Sequence, residues 1–100
     1  MVSNIAEARA CQDALRQIVG GHVGDGADYR ALRRVLDLCR RAADAVDDGY
    51  CRDKLRLVED FSAEMLARGE QRRWEFLRHQ IMGALELYLS RLYCLEALRR

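Results

Sequence analysis

The sequence predicts an all-α fold, a small antiparallel bundle of four helices with a long C-terminal helix. The chain contains no proline, half of its residues are hydrophobic and a third are charged. These proportions are typical of a globular helical protein rather than a disordered one. Apolar residues recur at intervals of three and four, the helical period, and no segment shows the alternation of a strand. One hundred residues correspond to about one domain, so we expect residues 1–100 to share one core.

The first helix is predicted to begin at Asn4. Asn is a good N-cap residue, and Glu7 follows three positions later, as in a capping box. Apolar residues then recur at helical spacing at Ala8, Cys11, Leu15 and Ile18. The segment GGHVGDG, residues 20–26, contains four glycines and ends the helix.

The second helix is predicted to begin after Asp28, a second N-cap residue. Its inner side carries Leu32, Val35, Cys39, Ala42 and Val46. The DDG segment at 47–49 predicts the next break. A single glycine inside a helix costs only about 1 kcal/mol, so a continuous helix through Gly49, and thus a three-helix bundle, remains an alternative.

Two further helices are predicted on either side of Gly69, which is typical of a residue that follows a helix C-terminus. The third helix has its apolar positions at Cys51, Leu55, Val58, Phe61 and Met65. The last has them at Trp74, Leu77, Ile81, Ala84, Leu85, Tyr88, Leu92 and Leu95. Short connections predict antiparallel neighbours.

The last helix is longer than its neighbours and apolar on almost every side. At 1.5 Å per residue the third helix spans roughly 30 Å and residues 70–98 roughly 43 Å, so we expect residues 89–98 to project beyond the third helix. Polar positions occupy one narrow side, at Arg72, His79, Gly83, Glu86 and Ser90. Either the first helix covers the excess, or a second copy does so in a two-fold dimer. We expect the dimer, with an interface formed by Leu85, Tyr88, Leu89, Leu92, Tyr93, Leu95 and Leu98.

The four cysteines predict a cytoplasmic protein with reduced thiols. Cys11, Cys39, Cys51 and Cys94 are separated by 28, 12 and 43 residues, so no CxxC zinc or redox motif is present. The N-terminal segment contains acidic residues where a signal peptide would have its apolar run. The first three cysteines lie on inner stripes, and Cys94 lies off the stripe, where we expect it to be more accessible.

The two histidines are the first candidates for metal binding or catalysis. His22 lies near Asp25 and Asp28 in the glycine-rich segment, a set that binds a metal weakly at best. We interpret these residues as a loop and a helix cap, and we predict no metal or cofactor. The loop also lacks the GK[ST] ending of a phosphate-binding loop.

His79 is the second candidate. The segment HQIMGALELYL resembles the histidine phosphotransfer domain, in which the phospho-accepting histidine precedes a glycine by four residues, as His79 precedes Gly83. The resemblance implies that His79 accepts a phosphoryl group. Met82 stands where that family has lysine, so this function is a remote alternative. Glu75, one turn earlier, is an ordinary partner for a surface imidazole.

Arginine is the dominant basic residue. Of the 17 basic side chains, only Lys54 is a lysine, and the rest are arginines. Arginine forks suit phosphates, which suggests a nucleic-acid-associated regulator as an alternative function. The contact residues would be Arg33, Arg34, Arg41, Arg72 and Arg73. However, Asp37 and Asp44 stand at pairing distance on the same helix, and the net charge of the chain is only +1. We therefore expect a salt-bridged, solvated face.

The sequence thus favours a non-enzymatic protein-interaction or adaptor module that acts as a homodimer through its C-terminal helix and also binds an unidentified protein. Membrane insertion is disfavoured because Glu86, Arg91 and Glu96 would each cost roughly 2–3.5 kcal/mol near the bilayer centre.

Overall fold

A computed structural model describes residues 3–21, 28–68 and 73–99. Within these ranges the chain forms four helices and no strand. The helices are α1 (Ile5–Gly20), α2 (Tyr29–Ala45), α3 (Gly49–Arg68) and α4 (Trp74–Leu98). The predicted all-α bundle, with its longest helix at the C-terminus, is confirmed.

Each helix packs against two neighbours, and all neighbouring pairs are antiparallel. The contacts run in a ring from α1 to α2, α3, α4 and back to α1, with Cα extents of 46 × 20 × 19 Å. Two backbone hydrogen bonds join the helix ends. The amide of Asn4 donates to the carbonyl of Ala45 at 2.8 Å, and the amide of Asp28 donates to the carbonyl of Leu66 at 2.7 Å.

The predicted N-caps of α1 and α2 are confirmed. Oδ1 of Asn4 accepts from the amide of Glu7 at 3.0 Å, and Oδ1 of Asp28 accepts from the amide of Ala31 at 3.0 Å. Each bond satisfies one of the amides that a helix start leaves without a partner. The Glu7 carboxylate accepts from Nε of Arg41 on α2 at 3.1 Å, so the first cap works together with a contact between helices.

The break between α2 and α3 is real, and it comes from the aspartates rather than from the glycine. Residues 46–48 are not helical, and Val46 adopts an extended conformation with its side chain buried. Oδ2 of Asp48 accepts from the amide of Cys51 at 3.0 Å, so Asp48 caps α3. Gly49 is the first residue of α3. The three-helix alternative is therefore wrong.

All four helices contribute to one apolar core. The predicted inner stripes are buried, apart from Ile18, Leu32, Phe61 and Leu95, which are half-buried and pack against the core. The largest fully buried side chains include Leu15, Val35, Met65, Ile81 and Tyr88. Gln12 is the main polar exception: its Nε2 donates to the carbonyl of Leu85 at 3.2 Å, which joins α1 to α4 inside the core.

The end of α4 is covered on one side by α1, the first of the two alternatives that the sequence leaves open. The Arg9 guanidinium lies 4.9 Å from the centroid of the Tyr93 ring and 3.8 Å from the Glu96 carboxylate. Nη1 of Arg99 donates to the carbonyl of Ser3 at 3.0 Å. α4 extends beyond α3, but α1 begins beside this end of α4. Within the described ranges, no helix combines the length and apolar character needed to cross a membrane.

Candidate functional site

Three of the four thiols, those of Cys11, Cys39 and Cys51, lie in the core and come from three different helices. The hydroxyl of Tyr88 on α4 is also buried, and burial raises its pKa. Burial raises the pKa of Cys39 and of Cys51 to about 12. These thiols are therefore protonated at neutral pH and are poor nucleophiles. All four cysteines are free, and Cys94 is exposed as predicted.

The predicted weak metal set cannot be assembled from the described residues. His22 and Asp25 lie outside them, and the Asp28 carboxylate caps α2. In the part of the chain that the structure describes, no three His, Cys, Asp or Glu side chains lie together as metal ligands would.

His79 is exposed on α4, and Gly83 lies beside it in a groove between α3 and α4. A Cβ atom added to Gly83 would meet nothing within 4 Å, so this part of the groove is open. The expected partner of His79 is engaged elsewhere, since Oε1 of Glu75 accepts from Nη1 of Arg78 at 2.6 Å. Phosphoryl transfer through His79 stays a prediction.

The floor and walls of this groove are mainly apolar. Leu57 and Phe61 of α3 face Gly83 and Leu87 of α4 across it. Phe76 lies two turns before Gly83, on the same side of α4. These five residues, Leu57, Phe61, Phe76, Gly83 and Leu87, are called the α3–α4 face below. The exposed fractions of Leu57, Phe76 and Leu87 are 38%, 54% and 48%, high values for large apolar side chains.

The predicted dimer interface on α4 is divided by the structure. Leu85, Tyr88 and Leu92 are completely buried among the helices of one chain, so they offer no surface to a partner, and their assignment to an interface is corrected. These three residues belong to the apolar stripe that faces the core, and the interface was predicted on the same stripe. Leu89 and Leu95 are half-buried, whereas Tyr93 and Leu98 are exposed.

The predicted nucleic-acid residues fall into separate places. Arg33 and Arg34 are exposed on the outer side of α2. Arg41 is also exposed but pairs with Glu7 of α1. Arg73 precedes α4, pairs with Glu64 and lies 6.0 Å from the centroid of the Phe76 ring. Arg72 lies outside the described residues.

The expected salt bridges on α2 are not formed. Four exposed arginines, called the α2 arginine face below, are Arg30, Arg33, Arg34 and Arg40. Among the described residues no carboxylate lies within 4.0 Å of a guanidinium nitrogen of these four, and neither Asp37 nor Asp44 takes part in an ion pair. The ion pairs expected with Asp37 and Asp44 are therefore absent among the described residues, although Asp37 lies in the same groove as these arginines.

The α3–α4 face is not predicted by the sequence analysis. A signal for it is present in the sequence, because Phe76, Gly83 and Leu87 recur at seven and four residues, one helical stripe. This stripe shares Gly83 with the polar positions of α4.

Comparisons of the chain with protein-family models, with curated proteins and with solved structures found no match.

Proposed function

We propose that this protein is a non-enzymatic protein-interaction module that acts in the cytoplasm and binds a second copy of itself through the α3–α4 face. The observation that carries the proposal is the apolar groove lined by Leu57, Phe61 and Leu87, in which both leucines are exposed. Single exposed apolar residues are ordinary, but a contiguous apolar patch on a small protein is typical of a binding surface.

The dimensions of the bundle suit a stable dimer. One side of a body with Cα extents of 46 × 20 Å offers roughly 900 Å², and a standard interface buries about 800 Å² per partner. A two-fold dimer needs a single patch that is complementary to itself. A dimer through the α3–α4 face would therefore use most of this side of each bundle.

Gly83 is the point at which two copies can approach most closely. It is exposed near the middle of α4, and the space beyond its Cα is open. Without a side chain at this position, two α4 helices can cross with their backbones close together. Phe76 and Leu87 then lie on either side of the crossing and bury their exposed rings and methyl groups.

The surroundings of the face suit a protein interface. Lys54, His79 and Gln80 also line the groove, so polar side chains lie beside its apolar residues. The Lys54 ammonium lies 5.0 Å from the centroid of the Tyr50 ring, a cation–π contact. A cytoplasmic location is supported by the free state of all four cysteines, which is usual in a reducing compartment.

The oligomeric state tests this proposal. Light scattering after size exclusion at tens of micromolar is expected to give about twice the chain mass of 11.5 kDa. Leu57→Asp should shift the protein toward the monomer. Leu36→Asp is the matched control, because Leu36 is equally exposed, at 38%, but lies on α2, and it should leave the dimer intact.

A second variant separates assembly from folding. Gly83→Glu places a good helix former where the protomer has room, so the protomer should be at least as stable as the wild type. The same change sets two like charges at the crossing and should dissociate the dimer. A wild-type monomer at tens of micromolar, or a dimer that only Leu36→Asp dissociates, would overturn the proposal.

A further inference from the structure

We propose that the α2 arginine face binds single-stranded nucleic acid through its phosphate backbone. This inference is independent of the dimer, because it concerns the opposite side of the bundle. α2 packs against α1 and α3, whereas the α3–α4 face is formed with α4.

The α2 arginine face carries unpaired positive charge. Arg30, Arg33, Arg34 and Arg40 are exposed, and no carboxylate among the described residues pairs with them. Asp37 lies in the same groove and lowers the net charge of the face, but it forms no ion pair with these arginines. Four guanidinium groups on one helix therefore remain available for anions, although the net charge of the whole chain is only +1.

The four arginines are spaced along one side of α2. At 1.5 Å per residue, Arg30 and Arg40 are about 15 Å apart along the helix. The face is therefore long enough to follow a few successive phosphates of one strand. Guanidinium groups bind phosphate oxygens with two parallel hydrogen bonds, which a lysine cannot do.

An exposed aromatic ring lies in line with the arginines. Tyr29, the first residue of α2, is 67% exposed and lies one turn before Arg33. A tyrosine ring beside bound phosphates can stack on an unpaired base, a contact that duplex DNA does not offer. An acidic peptide would gain from the charge but has no base to stack. The ring therefore favours a single strand over both other anions.

The four arginines of the face contribute little to the stability of the bundle. The four arginines make no ion pair within the described ranges, and α2 is held by Val35, Leu38, Cys39 and Ala42 on its inner side. Substitutions on the outer side are therefore expected to leave the bundle intact.

Fluorescence anisotropy with labelled 20-nucleotide single strands of DNA and RNA tests the proposal. At 20 mM salt the full chain is expected to bind, and log K should fall with log salt with a slope no steeper than about −3, the value for four phosphate contacts on a single strand. Arg33→Gln combined with Arg40→Gln should weaken binding about tenfold or more and should roughly halve this slope. Tyr29→Ala should reduce the preference for a single strand over a duplex.

The matched control removes the same charge from the neighbouring helix. Arg52→Gln combined with Arg56→Gln on α3 should leave affinity within about twofold of the wild type. No binding at 20 mM salt, or an equal loss in this control, would overturn the proposal. If poly-glutamate competes as well as an unlabelled single strand, the face binds an acidic protein instead. If duplex binds as tightly as a single strand and Tyr29→Ala changes neither affinity, the assignment to single strands is overturned.

Discussion

Arginines at the seams between helices differ from those on the outer side of α2 in what they contact. Arg91 of α4 forms two hydrogen bonds with the carboxylate of Asp48, at 3.2 and 2.9 Å. Arg78 of α4 donates its Nε to the carbonyl of Val19 at 3.0 Å. Arg33 and Arg40 on α2 have no such contact among the described residues. The same residue type thus joins helices in one region and is left available to solvent and ligands in the other.

The difference follows from where the acceptors lie. At a seam, an antiparallel neighbour brings a carboxylate or a free helix-end carbonyl to a fixed place, so the guanidinium loses little additional freedom when it binds. On the outer side of α2, the available acids are Asp37 and Asp44 of the same helix. Such pairs one turn apart contribute only about 0.2–0.5 kcal/mol and require two flexible side chains to be ordered.

The largest effect on stability is expected at Asp48. Its side chain is only 13% exposed, caps α3 and binds Arg91 with both oxygens. Asp48→Ala removes the cap and leaves the guanidinium without its partner, so it should lower the free energy of unfolding by about 2–3 kcal/mol. Urea denaturation followed by circular dichroism measures this loss.

Asp47→Ala is the control for this experiment. Asp47 is the preceding residue and also pairs with an arginine, Arg52, but both side chains are at least half exposed. Its loss should cost less than about 0.5 kcal/mol. Equal losses for the two variants would show that the seam and the open surface do not differ in the way described.

A pH dependence of about 1–2 kcal/mol is expected from the same pair. The hydrogen bonds from Arg91 lower the pKa of Asp48 to about 2, below the value of about 3.9 in an unfolded chain. A carboxyl group with a lowered pKa contributes its stability above pH 4 and loses it as the pH falls toward 2. The difference in stability between the wild type and Asp48→Ala should therefore shrink over this interval, and a constant difference would contradict the assignment.

A smaller effect is expected at Arg78. Its contact with the carbonyl of Val19 satisfies one of the last acceptors of α1. Arg78→Ala should cost about 1 kcal/mol in urea denaturation. Arg16→Ala, which breaks a pair with Glu86 at 3.7 Å between side chains near or above half exposure, should cost less than about 0.5 kcal/mol. The reverse order would indicate that the backbone contact is unimportant.

Those features that depend on local chemistry could be predicted from the sequence. The caps at Asn4 and Asp28 were found because their side chains bind amides only three residues away. The inner stripes were found because burial follows the helical period. The accessible Cys94 was found for the same reason, since it lies off that period.

The arrangement of neighbours could not be predicted in this way. The buried stripe of α4 was predicted, but the sequence does not say that neighbouring helices cover it completely, and Leu85 and Leu92 were also assigned to an interface although they are buried. The partner of Glu7 was missed because Arg41 is 34 residues away in the chain. The free arginines of α2 were missed because Asp37 and Asp44 lie one helical turn from them, and this spacing was taken to mean that ion pairs form.

The placement of the cysteines makes the folded state visible to a thiol reagent. One thiol, Cys94, is exposed, whereas Cys11, Cys39 and Cys51 lie in the core and come from three different helices. A small alkylating agent should therefore add one mass increment to the native protein quickly and further increments only when the bundle opens. Mass spectrometry of the labelled chain then counts opened molecules directly, without an added dye or an engineered tag.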